Sequence, residues 1–174
     1  MSQIRVADEI AGEGATPTVC TDEALDFVRQ LVDALGPARA QLLEARAVRQ
    51  AEYDRGELPT FRPETAWIRE GSWRCAPLPE ELTDRRVEIT GPPDRKMMIN
   101  AFNSGANVFM ADLEDAMSPT WGNVVDGLRN LRDYVRGELH FTHPTTGREY
   151  AVGNNPARLM VRPRGLHLEE RHVT

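Results

Sequence analysis

The sequence predicts an α/β fold in its second half, because three short apolar runs there look like buried strands and helical patterns follow the first two. Each run ends on polar or charged residues: Val87–Gly91, Val108–Asp112 and Leu159–Arg162. Strand-then-helix repetition makes neighbouring strands parallel, so their carboxyl ends meet on one rim of the sheet. Ligand and catalytic sites of α/β proteins lie on that rim, which is therefore the predicted functional site.

The composition is that of an ordinary globular protein, with 174 residues, 28% of them charged, and a formal net charge of −6. An acidic chain is poorly suited to nucleic acid or to a membrane surface, so we predict neither as a partner. No apolar run reaches the roughly twenty residues that span a bilayer. Cys20 and Cys75 lack the spacing of a metal site, and the N-terminus lacks the apolar core of a signal peptide. These features favour a reduced, cytoplasmic protein.

The first half divides into two predicted regions. Residues 1–20 are rich in Gly, Ala, Pro and Thr, which predicts a flexible arm. Residues 21–84 form a helical segment and a linker, and the helical pattern begins at a cap near Thr21. Gly36-Pro37 should end one helix and start another, which predicts an αα-hairpin.

The linker after the hairpin contains large apolar side chains but shows no clear period. Phe61, Trp67, Ile68 and Trp73 are each expected to be buried as packing anchors. The linker is therefore predicted to be ordered rather than disordered.

Residues 85–174 carry the predicted sheet. Asp94 is a candidate N-cap for a helix that follows the first strand, and a second helix is predicted from about Trp121 to Arg136. Between that helix and the third strand, the sequence alternates around a Pro-Thr-Thr-Gly turn. This pattern predicts a β-hairpin insertion.

Three carboxylates follow the second strand within four residues: Asp112, Glu114 and Asp115. Such groups repel one another unless a cation lies among them. Oxygen-rich clusters suit Mg²⁺, which binds one or two carboxylates together with water and substrate oxygens. Helix capping combined with an ion pair to a nearby arginine explains the same cluster, and spacing alone leaves both interpretations open.

The third strand ends on Arg162, followed by Arg164 and Gly165. An arginine at the end of an apolar strand needs an anion, and its planar guanidinium binds carboxylates with two hydrogen bonds. One arginine is expected to hold a carbonyl-bearing acid while the other pairs with the carboxylate cluster. Gly165 allows a close approach of the backbone. Two purely structural ion pairs remain the alternative.

The segment from Arg85 to His172 resembles the A-type malate synthases. The residues that carry the resemblance are Arg85-Arg86-Val87-Glu88-Ile89-Thr90-Gly91-Pro92, Asp94-Arg95-Lys96-Met97, Asn100-Ala101, Val108-Phe109-Met110-Ala111-Asp112, Glu114-Asp115, Ser118-Pro119-Thr120-Trp121, Asn130-Leu131-Arg132-Asp133, Val161-Arg162-Pro163-Arg164-Gly165 and His167-Leu168. Two residues depart mildly from the family pattern: Leu113 stands where Phe is common, and Leu166 stands where many members have Trp. The N-terminal helical segment resembles the same family more loosely.

This resemblance implies a TIM (β/α)8 barrel preceded by an N-terminal helical segment. It also implies an acyltransferase of the glyoxylate bypass that condenses acetyl-CoA with glyoxylate and water to malate and CoA, using Mg²⁺. By resemblance Arg162 is catalytic, and Asp112, Glu114, Asp115, Arg164 and Gly165 bind substrate or support the site. The metal ligands and the catalytic base are expected beyond these residues.

Three strands make only part of an eight-stranded barrel, so the chain is expected to be an N-terminal fragment that is inactive by itself. Two alternatives stay open. A citrate-lyase-like CoA-ester lyase also carries an Asp-Leu-Glu-Asp run after a strand. A non-catalytic binding module would fold cooperatively as a soluble monomer.

Overall fold

The computed structural model describes residues 4–174 of the chain. Its helices are α1 (Thr16–Val19), α2 (Asp22–Asp54), α3 (Ala66–Glu70), α4 (Arg95–Phe102) and α5 (Trp121–Val135). Its strands are β1 (Glu88–Gly91), β2 (Val108–Asp112), β3 (His140–Thr142), β4 (Glu149–Ala151) and β5 (Arg158–Arg162). None of the described helices is both long enough and apolar enough to cross a membrane.

Strands β1, β2 and β5 form a parallel sheet in that order, which confirms the predicted α/β arrangement. The central strand β2 is almost wholly buried, as its apolar sequence predicts. The register places Gly91 opposite Ala111 and Asp112 opposite Arg162. The polar residues that end β2 and β5 therefore meet at one rim.

The main core lies between the sheet, α4 and α5. Met98 and Phe102 of α4 have no exposed surface, and Phe109 of β2 is 1% exposed. The Phe102 ring stacks on Tyr134 with the ring centroids 4.0 Å apart, and it meets Phe109 edge-on at 5.3 Å. This burial holds both helices on the sheet.

Local signals in the sequence correctly locate the starts of the longer helices. The Asp94 carboxylate accepts a hydrogen bond from Met97 N at 2.9 Å at the start of α4. Thr120 and Thr21 cap α5 and α2 in the same way. The predicted β-hairpin is also confirmed, as β3 pairs with β4 in antiparallel register.

The predicted αα-hairpin is wrong. Helix α2 is a single helix of 33 residues that contains Pro37. A proline removes one backbone hydrogen bond but keeps a helical φ, so it need not end a helix. Before Pro37, Arg29 pairs with Asp26 at 2.8 Å and with Asp33 at 2.9 Å, and after it Arg49 pairs with Glu52, so ion pairs support α2 on both sides.

The predicted flexible arm differs from the structure over residues 4–20, while residues 1–3 lie outside the described part. Ala15 and Thr16 are 1% exposed and pack against α5, where Trp121 Nε1 donates to Thr16 Oγ1 at 2.8 Å. Val6 forms a β-bridge with Val173. Composition misleads here because the order comes from partners more than 100 residues away in the chain.

The linker side chains are exposed, contrary to the prediction. The exposed fractions are 81% for Phe61, 73% for Trp67 and 59% for Trp73. Only the short helix α3 and two single turns of 3₁₀ helix form in this region, and they provide no core against which these rings could pack.

Candidate strand-end site

The centre of the rim is a bidentate ion pair between Arg162 and Asp112. Arg162 Nε donates to Asp112 Oδ1 at 2.8 Å, and Nη2 donates to Oδ2 at 2.5 Å. The two residues are direct neighbours in the register of β2 and β5. The sheet therefore creates the pair, because 50 residues separate the partners in the sequence.

Asp112 is buried, and each of its oxygens has a partner. Its Oδ1 also accepts the backbone N–H groups of Glu114 at 2.9 Å and of Asp115 at 3.1 Å. The hydrogen bonds from Arg162 hold the pKa of Asp112 well below its usual range, although burial opposes that shift. The carboxylate is consequently charged at all physiological pH values, and the pKa of Arg162 is raised in turn.

Asp115 completes the surroundings of Arg162 from the solvent side. Its Oδ2 lies 2.7 Å from Arg162 Nη2, and its side chain is 71% exposed. Within residues 4–174, no hydrogen bond occupies the Nη1 group of Arg162, whose side chain is 37% exposed. The guanidinium is therefore fixed at one end and available to a ligand at the other.

Glu114 connects the two loops that follow β2 and β5. Its Oε2 accepts the backbone N–H of Gly165 at 2.8 Å. A Cβ at Gly165 would lie 2.6 Å from the ring of His167, so only a glycine fits at this point of the loop. This is the close backbone approach that the sequence predicts at Gly165. The contact holds the residues after Arg162 against the carboxylate cluster.

Arg164 does not join the cluster, which corrects the expected division between the two arginines. Its Nη1 donates to Glu170 at 2.8 Å and its Nη2 donates to the carbonyl oxygen of Glu169 at 2.9 Å. Strand β5 ends at Arg162. The two-residue alternation that aligns the arginines in a strand therefore does not continue through Pro163.

The carboxylate cluster does not fit a magnesium site. Asp112 is bound by a guanidinium and two amides, and Glu114 is bound by an amide. The described residues include no group of three or more His, Cys, Asp or Glu side chains that could hold a metal ion. The ion pair of the alternative interpretation is confirmed, but its helix cap is not: Asp112 accepts two loop amides, and the next helix begins only at Trp121.

Sequence reasoning missed Glu170 and His172, which bind each other at 2.7 Å between Glu170 Oε1 and His172 Nδ1. It also missed Arg39 of α2, whose Nε donates to the carbonyl oxygen of Leu166. No periodic pattern in the sequence indicates these contacts. The closeness of Arg164, Glu170 and His172 in the sequence is the one signal for the Arg164–Glu170 and Glu170–His172 pairs.

The Arg162–Asp112 pair lies at the carboxyl ends of parallel strands, which is where α/β proteins bind their ligands. A family model described as the malate synthase N-terminal domain matches residues 7–67. The malate synthase of Myxococcus xanthus is 59% identical over 89% of this chain, which is 28% of that protein. Malate synthase A of Escherichia coli is 49% identical over 90% of this chain and 29% of its own length.

A bifunctional glyoxylate cycle protein of Caenorhabditis elegans is 48% identical over 96% of this chain, which corresponds to 17% of that protein. The chain is therefore similar to malate synthases over most of its own length. It spans about 28% of the length of the Myxococcus xanthus relative. The similarity is thus a long, high-identity match to one part of these proteins.

Proposed function

We propose that this chain is the N-terminal part of a malate synthase, an acyltransferase that condenses acetyl-CoA with glyoxylate and water to give malate and CoA. The observation that carries the proposal is the Arg162 guanidinium, fixed by buried Asp112 and left open at Nη1. The names of the relatives support a role in the glyoxylate cycle and favour condensation over the citrate-lyase-like alternative.

Arg162 is the proposed catalytic residue. A fixed cation stabilises negative charge that develops on an oxygen during the reaction, here on the enolate of the acetyl group or on glyoxylate. Asp112 supports this role because it holds the guanidinium in one orientation and has no protonation change near neutral pH. Glu114 and Gly165 hold the loop behind it, and Asp115 lies on its exposed side.

The sheet is proposed to be the first part of a TIM (β/α)8 barrel. Its strands are parallel neighbours in chain order, with α4 between β1 and β2 and α5 between β2 and β5. This is the repeating unit of such barrels. The β3–β4 hairpin then counts as an insertion after α5.

Mg²⁺ is proposed as the cofactor of the whole enzyme. Its ligands are proposed to lie outside residues 4–174, because the carboxylates of the strand-end site are already bound to nitrogen donors.

A cytoplasmic location is proposed because Cys20 and Cys75 are both free thiols, as is usual in a reducing compartment. Nucleic acid and membranes are not proposed as partners, because the acidic chain would repel both.

A chimaera tests the proposal. The matched segment of the Myxococcus xanthus enzyme is replaced by this chain, and release of free CoA thiol is measured with acetyl-CoA and glyoxylate. Activity is expected in the chimaera, and Arg162→Ala should lower kcat by about 10²–10³-fold, the effect of removing one oxyanion-stabilising donor. The exposed Arg136→Ala is the matched control and should leave the rate unchanged. An active Arg162→Ala chimaera would show that another group stabilises the transition state.

The 174 residues by themselves are expected to lack this activity. Strands β1 and β5 are the two edges of the three-stranded sheet, and no further strand pairs with either edge among the described residues. Thiol release by the isolated chain above the uncatalysed rate would contradict this expectation. A soluble, cooperatively unfolding monomer without activity would support the binding-module alternative for the isolated chain.

A further inference from the structure

A second charged cluster, formed by Arg164, Glu170 and His172, lies in the loop that follows β5. Glu170 Oε2 accepts a hydrogen bond from Arg164 Nη1 at 2.8 Å. Its Oε1 accepts from the backbone N–H of His172 at 3.0 Å and lies 2.7 Å from His172 Nδ1. One carboxylate therefore binds both the beginning and the end of the loop.

The end of this loop is attached to the N-terminal segment and to α5. The carbonyl oxygen of His172 accepts the N–H of Ala7 at 2.9 Å, and Arg5 and Thr174 exchange backbone hydrogen bonds. The ring of His172 lies 5.3 Å from that of Trp121, which in turn is bonded to Thr16. The end of the loop is thus anchored to two other parts of the molecule.

The start of the loop carries the proposed catalytic group. Asp112 orients the guanidinium of Arg162, but the backbone leaves the sheet at Pro163, and from there Glu114 and Glu170 hold it. Burial raises the pKa of Glu170, but hydrogen bonds from His172 and Arg164 outweigh that effect, so the pKa lies below its usual range. A charged Glu170 keeps the Arg164 guanidinium away from the carboxylates that bind Arg162.

We propose that Glu170 is a positioning residue for Arg162: it ties Arg164 to the anchored end of the loop and keeps Arg162 alone in the Asp112/Asp115 site. The expected effect of Glu170 on catalysis rests on the proposed function, whereas its effect on the loop does not. Without Glu170, the Arg164 guanidinium is free to compete with Arg162 for the carboxylates of Asp112 and Asp115. The loop then loses its defined path, and the Gly165–Glu114 hydrogen bond opens more often.

The first experiment measures amide hydrogen exchange and the Arg162 Nε–H signal by NMR in the 174-residue chain. Glu170→Gln should speed exchange of the Gly165 amide by about tenfold, as expected from the loss of a charged hydrogen bond, and should shift the Arg162 signal. Amides of the central strand, such as Ala111, should be unaffected. Glu169→Gln is the matched control, because it removes the same charge from the neighbouring residue and keeps the carbonyl that binds Arg164.

The second experiment measures kinetics in the chimaera. Glu170→Gln should lower kcat by roughly 10- to 100-fold, the cost of a displaced catalytic group, with the KM for acetyl-CoA within about twofold. Unchanged Gly165 exchange, an unchanged Arg162 signal or an unchanged kcat would each overturn the positioning role. If the unsubstituted chimaera has no activity, the proposed function fails, and the exchange experiment still decides whether Glu170 positions the loop.

Discussion

Helix α2 and the sheet unit of residues 88–162 are stabilised in different ways. None of the residues of α2 is buried, and apolar side chains such as Leu31 and Leu35 are 42% and 59% exposed. The sheet unit instead buries Met98, Phe102 and Phe109 completely or almost completely. Local caps and ion pairs therefore account for α2, whereas tertiary burial accounts for the sheet.

The largest contrast is expected from the same substitution in the two regions. Phe102→Ala should lower the free energy of unfolding by about 3–5 kcal/mol, because it removes a fully buried ring that stacks on Tyr134. Phe27→Ala in α2 should change it by less than about 0.5 kcal/mol, since Phe27 is 61% exposed. Urea unfolding followed by circular dichroism measures both. A loss of similar size for the two variants would mean that α2 belongs to the cooperative core.

A smaller effect is expected at the candidate site. Asp112→Asn should lower the free energy of unfolding by on the order of 2 kcal/mol, because it weakens the charged hydrogen bonds from Arg162 to a buried acceptor. Asp115→Asn is the control: it contacts the same guanidinium but is 71% exposed, so its effect should be close to zero. Equal effects would place the stabilising charge on the exposed carboxylate instead.

The stabilisation by Asp112 should depend on pH in one direction. Since its pKa is lowered in the folded chain, the contribution is complete above the ordinary carboxyl pKa of about 3.9 and is lost as the pH falls through the folded value. The stability difference between the native chain and Asp112→Asn should be constant above about pH 5 and shrink in stronger acid. Unfolding curves at several pH values check this, and a difference that grows in acid would contradict the assignment.

The smallest effect compares two helix caps. Asp94→Ala and Thr21→Ala each remove a side-chain acceptor at a helix N-terminus, worth about 1 kcal/mol. The loss at Asp94 should lower global stability, because α4 covers the sheet. The loss at Thr21 should only fray the first turn of α2, visible as faster exchange of its early amides. A global loss at Thr21 would break the distinction between the two regions.

Much of the sheet unit was predictable because its signals are local. The apolar run of β2, the Asp94 cap and the turn of the β3–β4 hairpin each act over a few residues, and all three predictions are confirmed. The charged rim was also predictable in outline, since parallel strands bring their carboxyl ends together. The roles of its residues in catalysis stay predictions.

Most of the failures involve long-range contacts. The order of the N-terminal segment and the exposure of Trp67 and Trp73 depend on what surrounds them. The hairpin prediction failed for a local reason, because Pro37 is accommodated inside α2. The partner of Arg164 could not be deduced from alternation, because the strand ends two residues earlier. Local patterns contain no information about such neighbours.

The sequence by itself determined the elements of the sheet unit, their parallel order and the set of charged residues at the rim, because periodicity, caps and turn chemistry are properties of neighbouring residues. Only the tertiary structure decided which charges pair. The register of β2 and β5 places Arg162 on Asp112, and the folded-back loop places Arg164 on Glu170. Ion pairs depend on distances of a few ångströms, and those distances exist only after the sheet has brought residues 50 positions apart into contact.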